Sequence, residues 1–356
     1  MAAPCYRRPE PRKHNIWYNS ASSRSQGLLS ILPPVRFLHE DIRGTRREGG
    51  GVLWINVIPH FDDFLKQLAL TAGERSDAEG KAERVARCLW NNCYEGEFNP
   101  GCYLKVGSYG KGTACHPQSD LDLMFLLPWP VYTRIETLSG NKQSQFLQEV
   151  KRTLLGTFPN TDLRADGQVV LAPFSTYDVE VVPAFPFQDG TFLTADTNDG
   201  GRWRKSNPIA EFEDLRTADA VSAGKATHLL QMAKAWKREC SVEMKSICLE
   251  VLVGQFVKQW IYRDKSLFWY DWMIRDFFYF LSRYVNGWAR PAGSDEQIQL
   301  GDCWASKCQS AYRRALKACE FEVQDNEPAA AEEWQKIFGY QFRGRLVALR
   351  SLLALS

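Results

Sequence analysis

The sequence has 356 residues and a mass of 40.7 kDa, with 44% apolar and 24% charged side chains; this suffices for about two domains and a sizeable core, and excludes wholesale disorder and collagen-like or coiled-coil architecture. With 44 Lys+Arg against 42 Asp+Glu the net charge is +2, so bulk electrostatics do not indicate a nucleic-acid activator. The longest uncharged stretch, Gly49 to Phe61, falls short of the ~20 residues of a membrane span, so no membrane partner is expected.

Residues 1–52 read as an N-terminal extension: Arg/Pro-rich, then Ser-rich from Asn19 to Ser25, then a run of charge and glycine from Arg43 to Gly51. That composition suits a partly disordered segment. Its first residues carry Arg7 and Arg8 with no apolar stretch behind them, and the ten cysteines include no Cys-x-x-Cys pair. The expected location is therefore a reducing cytoplasm.

A helical pattern begins at Trp54 (Phe61, Phe64, Leu65, Leu68), and a second helix is expected from Ser76 to Asn92. Cys102–Val106 and Leu121–Leu127 are short apolar runs bounded by Gly, Ser and Pro and read as strands, as do Val169–Ala172 and Tyr177–Pro183. Ser144–Leu155 reads as a helix packed on them. After about Ser222 the pattern is helical (Leu229–Arg238, Ser246–Tyr262, Tyr270–Tyr284, Ala305–Cys319, Ala329–Phe338). The expected fold class is α/β (α+β): a mixed α/β domain over 53–220 with two leading helices, then an all-helical domain over 221–356.

The chemistry concentrates in residues 106–125. Gly107, Ser108, Gly110, Gly112 and Thr113 crowd donors and flexible backbone into one loop between two strands, which suits a phosphate because glycine has no side chain to hold it away. The loop is not a Walker A motif, since Lys111 precedes Gly112 rather than a Ser or Thr. Asp120 and Asp122 then sit two apart on a strand, so their carboxylates share a face while Leu121 and Leu123 point to the core. Two such carboxylates repel unless a cation lies between them, and Mg²⁺, or Mn²⁺, takes such oxygen ligands together with phosphate oxygens. A phosphate loop beside a carboxylate pair implies phosphoryl or nucleotidyl transfer. A third acid is expected on a neighbouring strand, where Asp178 and Glu180 share one face and spacing does not choose between them.

These residues resemble the cGAS/DncV-like nucleotidyltransferases (CD-NTases), relatives of the oligoadenylate synthases. The family pattern G-S-x-x-x-G-T-A, a spacer and S-D-x-D-L stands here as Gly107 to Ala114 and Ser119 to Leu123, and Glu180 precedes Val181-Val182-Pro183-Ala184-Phe185 in the register of the family's third acid. Lys234-Ala235-Trp236 and Lys245-Ser246 are similar to two later helical motifs, so the likeness runs from about Trp54 to Phe342. Two features depart: the third acid is usually aspartate, and Ile247 stands near a position that often carries a base-stacking aromatic. No His and Cys cluster matches the zinc insertion of the animal DNA sensor.

The resemblance implies a polymerase-beta-like nucleotidyltransferase fold and joining of nucleoside triphosphates into a cyclic di- or oligonucleotide messenger for a downstream effector, as in antiviral or antiphage defence. It implies Asp120, Asp122 and Glu180 as catalytic metal ligands, with Asp178 as the alternative third, and Gly107, Ser108, Lys111, Gly112, Thr113, Ser119, Lys234 and Ser246 as nucleotide-binding. The competing readings are a template-independent RNA-terminal or linear oligonucleotide transferase and a catalytically inactive nucleotide-binding module. The aromatic run from Phe268 to Phe280 reads as helical core, and Cys115-His116 as no metal site.

Overall fold

A computed structural model describes residues 56–343 apart from 118–119, so the N-terminal extension and Ser119 lie outside the described residues. Two helices open it, α1 (Val57–Leu68) and α2 (Ala72–Cys93). In α1, Val57, Phe61, Phe64 and Leu68 recur at helical spacing and are all fully buried. Thr71 starts α2 with a capping box: its side chain accepts the Glu74 N–H at 3.1 Å, and the Glu74 carboxylate accepts the Thr71 N–H at 2.8 Å.

Next come β1 (Tyr103–Lys105), the single turn α3 (Gly107–Gly110), β2 (Leu121–Leu126), α4 (Trp129–Glu136), α5 (Lys142–Thr157), β3 (Arg164–Asp166), β4 (Val169–Pro173), β5 (Asp178–Pro186), β6 (Phe192–Asp196) and β7 (Arg202–Ser206). They form one seven-stranded mixed sheet in which β2 and β5 run side by side in parallel and the other pairings are antiparallel. Leu121, Leu123 and Phe125 of β2, with Val179 and Val181 of β5, face α2 and α5 and are fully buried. The other face carries a small apolar floor of Val106, Met124, Ala184 and Phe192.

The remaining chain forms α6 (Pro208–Ser222), α7 (Lys225–Glu239), α8 (Ser246–Gln259), α9 (Tyr270–Ser282), a two-stranded hairpin of β8 (Trp288–Ala289) and β9 (Ile298–Gln299), α10 (Ala305–Val323) and α11 (Glu327–Phe338). Their core holds Trp236, Trp272, Phe277, Trp304 and Trp334, so the aromatic run of α9 is interior. No helix among the described residues is long and apolar enough to cross a membrane.

The mixed α+β fold matches the sequence expectation, with three differences. The face of α1 packs in the helical core, where Phe64 meets Phe338 at 4.8 Å and Phe342 at 5.2 Å between ring centroids. Chain order had grouped α1 with the sheet, but periodicity says only that a face is buried, not against what. The Gly-rich connection contains α3 rather than plain loop, and α4, β3, β6, β7, α6 and the β8–β9 hairpin add to the expected elements. Charge hides β7, whose sequence is Arg-Trp-Arg-Lys-Ser.

Phe64→Ala is expected to cost about 3–5 kcal/mol, the usual loss for a buried Phe, and chemical denaturation checks this. A loss near zero would show that α1 is not integral to the helical core.

Candidate active site

The site forms where β1, α3 and β2 meet α7 and α8 across a cleft of about 1070 Å³ lined by Gly107, Ser108, Asp120, Asp122, Lys234 and Ser246 among others. The loop begins with a sharp reversal: Gly107 has φ +54°, and a Cβ there would lie 2.7 Å from Asp122 Cγ. Only glycine lets the backbone come this close to that carboxylate. The Ser108 N–H donates to the Asp122 side chain, and the Ser108 carbonyl accepts the N–H groups of Thr113 and Ala114 at 2.9 and 3.1 Å. The loop thus closes on itself against β2.

The carboxylates are ordered by sheet register. Asp122 stands directly opposite Glu180 across the parallel β2/β5 pair, while Leu121 stands opposite Val179, which brings Asp178 level with Asp120 just before β2. Burial raises the pKa of Asp120, and Asp178 raises it further. Burial and Asp120 also raise that of Asp122, against the pull of Lys111 and Lys234. Glu180 is pushed up to about 7 by burial, by Asp122, Asp120 and Asp178, and by donating its proton to Asp122. Among the described residues, no three His, Cys, Asp or Glu side chains already close around one point at metal-ligand spacing. The site instead holds a cluster of mutually repelling carboxylates on the cleft side of the sheet. A divalent cation fits such a cluster, because it removes the repulsion that holds the protons on.

The nucleotide-binding candidates divide into groups. Gly107, Ser108, Lys234 and Ser246 line the cleft. Gly112 is exposed on the loop crest. Thr113 is fully buried, and its carbonyl and Oγ1 accept from Lys234 Nζ at 3.1 and 2.9 Å. It therefore anchors the lysine that faces the cleft. Lys237 Nζ donates to Ser246 Oγ at 3.3 Å, tying α7 to the start of α8. Lys111 also lines the cleft, but its ammonium is enclosed by Glu211 and Glu250. Ile247 lies on the wall.

Residues 55–218 match the family of the Second Messenger Oligonucleotide or Dinucleotide Synthetase domain. The chain is 20% identical over 276 residues to a probable cyclic nucleotide synthase of Bacillus cereus (strain VD146), covering 67% of this chain and 81% of that protein. Over residues 55–218 the chain is thus similar to the synthetase domain of the CD-NTase nucleotidyltransferases. Its fold is shared with CdnC of E. coli MS115-1, at TM-score 0.60 and 16% identity over 81% of this chain and 98% of that one. It is also shared with the Vibrio cholerae di-nucleotide cyclase DncV, at TM-score 0.57 and 14% identity over 90% and 95%.

Several residues that line the cleft escaped the sequence reading: Arg204 and Lys205 from β7, Glu211 from α6, Arg238 from α7 and Glu250 from α8. One local signal was present. Asn207 caps α6 by accepting the Ala210 N–H at 3.0 Å, with Pro208 in the first turn, a helix-start signature readable in sequence. Nothing local says that Glu211 and Glu250 approach one loop lysine.

In the metal-free protein, Glu180 titrates higher folded than its ordinary carboxyl value. The folded state therefore holds the extra proton between the ordinary value and about 7, and stability is lost as pH rises through that window. Glu180→Gln should raise the melting temperature at pH ~8 and lose that advantage toward pH ~5. An equal shift at both pH values would contradict the cluster.

Proposed function

We propose that this protein is a CD-NTase that joins nucleoside triphosphates into a cyclic di- or oligonucleotide with release of pyrophosphate, and that the product is a messenger read by a downstream effector in antiviral or antiphage defence in the cytoplasm. The carrying observation is the pairing of Asp122 with Glu180 across parallel strands at the edge of a cleft whose opposite wall presents Lys234 and Ser246. Relatives of this fold support the substrate class: CdnC has been solved with ATP, CdnG of Bradyrhizobium diazoefficiens with GTP, and the DncV cyclic AMP-GMP synthase with a linear pppA(3′,5′)pG intermediate.

In this reading Asp120, Asp122 and Glu180 hold Mg²⁺ or Mn²⁺, with Asp178 as the fallback for Glu180. The ions supply the acidity that makes a ribose hydroxyl nucleophilic and the charge that offsets the leaving pyrophosphate. The chain's own residues do the positioning. The Gly107–Ser108 backbone admits a phosphate beside Asp122, Lys234 reads triphosphate charge without reading base edges, and Ser246 offers a hydroxyl from α8. Gly112 shapes the loop crest, and Thr113 acts through Lys234.

The test is incubation with all four labelled triphosphates and Mg²⁺ or Mn²⁺, with products identified by mass spectrometry. Cyclic products are expected. Linear chains alone would favour the oligoadenylate-like alternative, and no product would favour the inactive module. Asp120→Ala with Asp122→Ala should abolish product and also remove the Mg²⁺-induced rise in melting temperature, which separates metal binding from turnover.

Glu180→Gln should lower activity by on the order of a hundredfold, with Asp178→Asn milder. The reverse ranking in initial rates would move the third ligand to Asp178. Lys234→Ala should weaken triphosphate affinity in a titration while leaving the choice of bases unchanged. Unchanged affinity would remove Lys234 from the site.

A further inference from the structure

Lys111 is the loop residue whose structure departs furthest from its motif. It lies between Gly110 and Gly112 in the segment expected to grip phosphate, yet only 2% of its side chain is exposed. Its Nζ pairs with Glu211 of α6 at 2.5 Å and also with Glu250 of α8. Burial pulls the ammonium's pKa down, and Glu250 and Glu211 outweigh that pull and leave it raised. With two carboxyl groups already around it, the ammonium presents no unpaired charge to a triphosphate approaching this lysine.

The surroundings make the same contact mechanical. Gly110 is pressed so close to α6 that a Cβ would lie 2.7 Å from the Phe212 ring, the neighbour of Glu211 in sequence. The Lys111 N–H donates to the Gly107 carbonyl at 3.2 Å. Gly107 is the residue whose bare backbone makes room for the Asp122 carboxylate, and Ser108 donates to it. Through this chain of contacts, the position of one buried ammonium sets where the loop backbone stands against Asp122.

We propose that Lys111 is a positioning residue, not a phosphate ligand. Clamped by Glu211 and Glu250, it ties the glycine loop to two helices on the other side of the cleft and holds Gly107 and Ser108 in register with Asp122. Lys234 acts on the same loop from α7 through Thr113, so the loop is held from both flanks. Lys234 meets only neutral oxygens of Thr113, whereas the Lys111 ammonium is paired with two carboxylates from different helices.

The proposal deepens the synthase reading and rests on it only for its kinetic arm. The test compares Lys111→Met, Lys111→Arg and the pair Glu211→Gln with Glu250→Gln, using initial rates, titration with a non-hydrolysable ATP analogue, and amide hydrogen exchange of residues 107–113. Lys111→Met and the Glu pair should each lower kcat ~tenfold or more, as misplaced loops do, with analogue affinity within about twofold. Both should speed exchange in the loop. Lys111→Arg, which keeps the ion pairs, should recover most of the rate and the protection.

If Lys111→Met does not fold, because two buried carboxylates lose their partner, combining it with Glu211→Gln and Glu250→Gln removes that charge. The triple variant should fold, still exchange fast in the loop and remain slow. A fall of about tenfold or more in analogue affinity for Lys111→Met, with loop exchange unchanged, would make Lys111 a ligand and overturn the proposal. So would wild-type loop exchange in the Glu pair. Exchange and titration need no turnover, so a wild-type protein that makes no product would sink the synthase reading and leave this test standing.

Discussion

Asp122 and Glu180 are neighbours because β2 and β5 run parallel with Leu121 opposite Val179 and Met124 opposite Val182, and this register is what the site depends on. Burial first, and neighbouring carboxylates second, raise the pKa of both, so the arrangement is unfavourable for the ionised groups. They cannot move apart, because Leu121, Leu123, Phe125, Val179 and Val181 alternate with them and are fully buried against α2 and α5. A slip by one residue would put every one of those side chains on the cleft face. Apolar burial on one face thus enforces an unfavourable charge cluster on the other, the preorganisation that the proposed divalent-cation site calls for.

The glycine loop depends on that cluster in turn. Its reversal at Gly107 brings backbone against Asp122, and its remaining contacts reach away from the sheet, Thr113 to Lys234 on α7 and Lys111 to α6 and α8. The helical half is rigid enough to act as an anchor. Trp236, two residues after Lys234, is fully buried and packs edge-on to Phe278 at 5.0 Å. The lysine is therefore aimed into the cleft from a helix whose other face is locked in an aromatic core.

In the proposed reaction, catalysis is mainly the placing of one hydroxyl against one phosphate while charge is neutralised around them. The sheet side supplies Asp120, Asp122 and Glu180 and α7 supplies Lys234, with the cleft between them. Arg204 spans the same gap at the cleft wall, pairing with Asp196 of β6 and with Glu296 in the β8–β9 connection. Since α1 and α6 pack in the helical core while the sheet interrupts them in sequence, the chain crosses between the halves more than once, which restricts how they move relative to each other.

Much of this was readable in the sequence for local reasons. A strand with Asp at alternate positions must show both to one face, a Gly-Ser loop before it suits phosphate, and the aromatic run from Phe268 to Phe280 has the density of a core rather than a surface. Those features pointed to the fold class, to the strand that carries Asp120 and Asp122, and to the likeness with the CD-NTases. Tertiary structure alone decided the rest. Spacing left Asp178 and Glu180 equal, and only the parallel register set Glu180 beside Asp122 and Asp178 beside the more exposed Asp120. Helical periodicity in α1 marked a buried face without naming its partner. The fate of Lys111 depended on Glu211 and Glu250, 100 and 139 residues away, because an ion pair across a fold is set by which helices pack together, and no local pattern encodes that.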